Sequence, residues 1–106
     1  INMNFLKQLF AGSSSTADLK NLIEEGAYLV DVRSPGEFAD GHVKGSVNIP
    51  LDRIISQLGK FKNKKSIIVF CRSGNRSSMA KSLLEQNGIK NVVNGGTWDN
   101  VNRYVN

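Results

Sequence analysis

The sequence predicts an α/β domain with a central parallel β-sheet flanked by helices on both faces. Three observations predict it. Short apolar runs of the buried-strand type alternate with segments of helical spacing. The joints between them are short and carry Gly, Pro, Ser or Asn. A strand–helix–strand succession with short joints closes by right-handed crossovers, which makes the strands parallel and covers the sheet from both sides.

The elements follow in order. Ile1, Phe5, Leu6, Leu9 and Phe10 stand at helical spacing, so residues 1–12 are expected to form an N-terminal helical extension, with the domain proper at 13–106. Gly12 to Ser15 make a polar break. Ser15 or Thr16 then caps a helix whose apolar face is Leu19, Leu22 and Ile23, ended by Gly26. Tyr28 to Val32 reads as a buried strand that meets Asp31 near its end. Ser34, Pro35 and Gly36 turn the chain into a short helix around Glu37 to Asp40, ended by Gly41. Ser46 to Ile49 is a second strand, closed by Pro50. Leu51, Ile54, Ile55 and Leu58 recur at i, i+3, i+4 and i+7, the pattern of an amphipathic helix, which Gly59 would stop. Ser66 to Phe70 carries the strongest strand signal. Met79, Ala80, Leu83 and Leu84 mark the next helix, ended by Gly88. Asn91 to Asn94 is a short strand. Gly95 and Gly96 serve a tight turn or a close backbone approach, and Trp98, Val101 and Val105 suggest a last helix.

Composition narrows the function. One hundred and six residues make one domain. A single cysteine excludes an internal disulfide, a four-cysteine zinc site and a dithiol redox pair. One histidine and one cysteine far apart give too few ligands for a metal, and no cofactor is expected. No apolar run approaches the ~18 residues of a membrane span, so no membrane partner is expected. Fourteen basic and nine acidic residues leave a net charge of +5. The lysines at 60, 62, 64 and 65 fall in one segment between apolar elements and read as a solvated turn, not a nucleic-acid surface. A cytoplasmic monomer is the expectation.

The chemistry points to one loop. Directly after the strongest strand comes Cys71-Arg72-Ser73-Gly74-Asn75-Arg76-Ser77, with the helix expected at or near Ser77. Unpaired N–H groups of a first helical turn favour an anion, and a thiolate is one. Helix starts and nearby cations lower a cysteine pKa to roughly 3.5–7.5. Arg72 and Arg76 supply two cations, and Gly74 lets the backbone bend into an anion-binding ring. A buried core thiol would need none of these neighbours.

This loop resembles the active-site loop of the rhodanese family, sulfurtransferases that carry a persulfide on cysteine. A second block is similar to the family's other signature: Asp31-Val32-Arg33, Glu37-Phe38, Gly41-His42-Val43, Gly45-Ser46 and Asn48-Ile49-Pro50. Gly95-Gly96 followed by Trp98 resembles its C-terminal signature. The resemblance covers roughly residues 16 to 104 and implies the single-domain rhodanese fold. It departs at the serines of 13–15 and in the short distance from the glycine pair to Trp98.

The resemblance implies a thiosulfate-type sulfurtransferase with Cys71 as nucleophile and residues 72 to 77 as the substrate-binding loop. The donor would be a small anionic sulfur compound drawn by Arg72 and Arg76, the acceptor cyanide in an assay and a thiol or a protein in the cell. Arg33 and Glu37, four residues apart, would pair and brace the loop. Asp31 would support it by hydrogen bonding, and His42 would be a packed, hydrogen-bonded imidazole of the fold and no Cys–His partner. The alternatives are a persulfide relay or non-catalytic regulatory module, and a phosphatase or arsenate reductase of similar fold. The last pair uses cysteine, five residues, arginine; here Ser77 holds that arginine position and Arg76 comes one residue early.

Overall fold

The computed structural model describes residues 16–105, so the extension predicted at 1–12 and the polar break after it lie outside the described residues. Strands β1 (Tyr28–Asp31), β2 (Val47–Asn48), β3 (Ile67–Cys71) and β4 (Val92–Thr97) form one parallel sheet in the order β2-β1-β3-β4. The helices are α1 (Thr16–Glu24), α2 (Pro35–Asp40), α3 (Asn75–Gln86) and α4 (Trp98–Asn102).

The pleat of β3 divides the core into two layers. Ile67, Val69 and Cys71 face one side, where Ile54, Phe61, Ala80 and Leu84 cover them. Ile68 and Phe70 face the other, against Leu19, Val43 and Val101. All five residues of β3 are fully buried, which explains why the strand is an unbroken apolar run. Because the strands are parallel, their carboxyl ends share one edge of the sheet. Asp31 stands opposite Phe70 there, beside Cys71. Ligand sites of open parallel sheets lie beyond that edge.

The helix expected over Leu51 to Leu58 is instead a pair of 3₁₀ segments, Leu51–Arg53 and Ile55–Phe61, and Gly59 does not stop the second. In a 3₁₀ turn residues i and i+3 eclipse. Leu51 and Ile54 therefore share the core side, while Ile55 is 51% exposed. Gln57, at φ −123°, interrupts the winding, and Phe61 anchors the end in the core. Within α3, Ser77, Ala80 and Leu84 are buried, and Met79 faces solvent.

β4 runs three residues past its expected end and takes in the glycine pair. Val69 pairs with Asn94, yet Phe70 pairs with Gly96, so Gly95 is an extra residue, a β-bulge. A Cβ on Gly95 would lie 2.7 Å from Val101 Cγ2 and 2.8 Å from Ile68 Cγ2. The glycine is there because strand and helix α4 meet too closely for any side chain. Among the described residues no helix is long and apolar enough to cross a membrane.

Candidate active site

β3 ends on Cys71, and the chain turns through Gly74 into α3, which starts at Asn75, two residues before the expected start. Gly74 makes the turn at φ +97°, a conformation that L side chains resist. Its amide donates to Cys71 Sγ at 3.0 Å, and the amides of Ser73 and Ser77 are also turned to the sulfur. Burial alone pushes the Cys71 thiol up. The Ser77 side chain and the amides of Ser77, Gly74 and Ser73 outweigh it, and the thiol lies below its ordinary value. Alkylation of the native protein by iodoacetamide should therefore show a pH midpoint below the ~8.5 of free cysteine. Ser77→Ala should move that midpoint upward. A native midpoint at or above the free value would show that these donors do not serve the sulfur.

Ser77 is fully buried at the head of α3. Its Oγ lies 2.7 Å from Asn94 Oδ1, 3.1 Å from the Gly74 carbonyl and 3.5 Å from Cys71 Sγ. Asn94 Oδ1 also accepts the Gly96 amide at 2.9 Å. Asn94 thus ties the bulge of β4 to the nucleophile loop. It escaped the sequence reading, where the only signal was an amide side chain in an apolar strand.

The expected Arg33–Glu37 pair does not form. Arg33 instead grips Asp31, with Nε at 2.9 Å from both carboxylate oxygens and Nη2 at 2.6 Å from Oδ2. Asp31 is fully buried and Arg33 nearly so. Arg33 Nη2 also donates to the Gly41 carbonyl at 2.8 Å, and its guanidinium lies 4.6 Å from the Trp98 ring centroid. The Asn48 amide closes the same joint on the carbonyls of Asp31 and Arg33.

Glu37 is turned elsewhere by its own helix start. Ser34 caps α2, and Glu37, three residues on, completes a capping box by accepting the Ser34 amide at 3.0 Å. From there its carboxylate takes Arg76 in a bidentate pair, at 2.7 and 3.0 Å. Arg76 and the Ser34 amide hold the Glu37 carboxyl down to about 2, and Glu37 in turn raises Arg76. The pattern Ser34-x-x-Glu37 was the signal for this geometry.

The pairing changes the charge available to a substrate. Arg76 is neutralised by Glu37, so the two free cations expected in the loop become one. Among the described residues Arg72 is exposed and makes no ion pair. It lines a cavity of about 450 Å³ together with Arg33, Glu37, Asp40, Thr97, Trp98 and Asp99. Ser73 and Asn75 are exposed on the loop. Among the described residues no hydrogen bond joins His42 to the sulfur. Its Nδ1 lies 2.8 Å from the Phe38 carbonyl and its ring stacks on Phe38 at 3.8 Å between centroids, although the residue is exposed. Among the described residues no three His, Cys, Asp or Glu side chains are grouped to hold a metal.

The family model described as the rhodanese-like domain matches residues 15–97, which spans this sheet, the cysteine loop and the bulge. The chain belongs to the rhodanese-like family. Within it, the putative sulfurtransferase YtwF of Bacillus subtilis (strain 168) is 38% identical over 90 residues, covering 80% of this chain and 87% of that protein. Thiosulfate sulfurtransferase PspE of Escherichia coli (strain K12) is 33% identical over 69 residues, covering 63% of this chain and 66% of PspE. Among solved structures, a rhodanese-related protein from Thermoplasma volcanium superposes with a TM-score of 0.71 at 31% identity, over 89% of this chain and 94% of that one. Against other curated relatives that it matches, the chain spans 54%, 38% and 65% of their length.

Proposed function

We propose that this rhodanese-like domain is a sulfurtransferase that moves a sulfane sulfur from thiosulfate, or a similar small anion, to a thiophilic acceptor through a persulfide on Cys71. The observation that carries the reading is the position of the one thiol. It ends the central strand β3, accepts the Gly74 amide at 3.0 Å, and faces the head of α3. PspE, a relative by sequence, bears the name of a thiosulfate sulfurtransferase.

In the first step Cys71 Sγ, as thiolate, attacks the outer sulfur of thiosulfate. The bond between the two thiosulfate sulfurs breaks, and sulfite leaves with the electron pair. The negative charge now rests on the terminal sulfur of the persulfide, where the loop amides and the dipole of α3 stabilise it. In the second step cyanide, or a thiolate in the cell, attacks that terminal sulfur. The Sγ–S bond breaks, the acceptor leaves as thiocyanate or a new persulfide, and the Cys71 thiolate returns. The two steps are separate, so ping-pong kinetics follow. Arg72 meets the donor anion, while Arg76 and Glu37 fix the loop from α2. We place the protein in the cytoplasm as a monomer, where a lone thiol stays reduced. Relay of the persulfide to a protein acceptor would use the same first step.

Intact mass spectrometry after exposure to thiosulfate tests the proposal. The expected result is one added sulfur, located on Cys71 and removed by cyanide. No mass gain, or hydrolysis of para-nitrophenyl phosphate at a rate equal to sulfur transfer, would overturn it.

A further inference from the structure

We infer that Asn94 is a positioning residue that holds the Ser77 hydroxyl hydrogen away from Cys71 in the resting thiol, and so sets how readily that sulfur ionises. The inference rests on the sulfur-transfer reading above, for which the thiolate is the reactive form.

The argument is a count of hydrogens. Ser77 Oγ carries one, and three acceptors surround it: Asn94 Oδ1 at 2.7 Å, the Gly74 carbonyl at 3.1 Å and Cys71 Sγ at 3.5 Å. The Asn94 amide cannot be the other way round. Its oxygen accepts the Gly96 amide at 2.9 Å, and a flipped NH₂ would face that N–H donor to donor. Asn94 therefore offers Ser77 only an acceptor, and it is the nearest one. With the hydroxyl hydrogen on Asn94, a lone pair of Oγ faces the sulfur. That lone pair suits an S–H and opposes a thiolate.

When Cys71 loses its proton, the hydroxyl must turn to donate to the sulfur and give up Asn94. Asn94 keeps the Gly96 amide and Gly74 is not disturbed, so the turn leaves no buried group unpaired. The cost of ionisation thus includes one Ser77–Asn94 hydrogen bond. The charged groups around the sulfur take no part in the turn. Arg76 is tied to Glu37 of α2, Asp31 of β1 is tied to Arg33, and Arg72 is solvent-exposed on the loop. β4 and α3 turn Asn94 and Ser77 themselves toward the loop, neither of them titratable.

Rates of iodoacetamide alkylation against pH test this without any sulfur donor, so the result is separate from that of the transfer reading. At a pH well below the native midpoint Asn94→Ala should alkylate about threefold faster than the native protein, a midpoint about half a pH unit lower. Asn94→Asp, a stronger acceptor that keeps the Gly96 bond, should alkylate more slowly. With Ser77→Ala in the background, the gain from Asn94→Ala should vanish and the loss from Asn94→Asp should shrink to the through-space effect of its charge. An unchanged or raised midpoint in a folded Asn94→Ala protein would overturn the inference. If that variant does not fold, Asn94→Asp decides: equal slowing with and without the Ser77 hydroxyl would overturn it.

Discussion

Cys71→Ser should lower thiocyanate formation from thiosulfate by ~10³-fold or more, because covalent transfer has no second thiol to fall back on. The loop stabilises an anion at the position of Sγ, but a serine hydroxyl ionises far outside the working range and donates poorly to sulfur. The replacement is otherwise mild. The serine Oγ can accept the Gly74 amide that now bonds the sulfur, so the denaturation midpoint should stay near that of the native protein. Turnover within tenfold of native by a folded Cys71→Ser protein would refute covalent transfer through this residue.

The largest loss of stability is expected at Asp31, not at the cysteine. Asp31→Ala would strand the Arg33 guanidinium, 4% exposed, beneath Trp98 with only the Gly41 carbonyl left to it. Removing one partner of a buried ion pair costs ~3–5 kcal/mol, and denaturant unfolding would measure it. Replacing both residues with apolar ones of similar size should recover much of that loss, because neither charge is then left without its partner. If the double variant were no better than Asp31→Ala, the harm would come from the lost Asp31–Arg33 joint between β1 and the Gly41 turn.

The parts of this protein that were legible in its sequence are those decided locally. A buried parallel strand must be apolar on both faces, so Ile67 to Phe70 announced β3. A thiol, two arginines and a glycine ahead of a helical pattern announced the loop. The parts that were not legible depend on where distant elements point. Arg33 and Glu37 have the spacing of a pair, yet the capping box at Ser34 turns Glu37 to Arg76 across the site, and the buried Asp31 claims Arg33. The repeat from Leu51 to Leu58 suits an α-helix as well as it suits two 3₁₀ turns, and only packing on Ile54 and Phe61 decides between them. Asn94 is held by the Gly96 amide across a bulge that only the pairing of β4 with β3 reveals.

The bulge also joins what the protein does to what it admits. The extra residue at Gly95 brings Thr97 level with Cys71 and starts α4 there, so that Thr97, Trp98 and Asp99 become walls of the cavity. Without it the strand would present the opposite parity from that point on, and a different set of side chains would stand beside the nucleophile. The Cys71 loop comes from β3 and α3, but Asn94, held by the Gly96 amide of the bulge, reaches it through Ser77. Selectivity and reactivity thus meet at one bulge, and a one-residue insertion or deletion after Asn94 would rewrite the cavity wall and disturb the Gly96 amide that holds Asn94 beside Ser77.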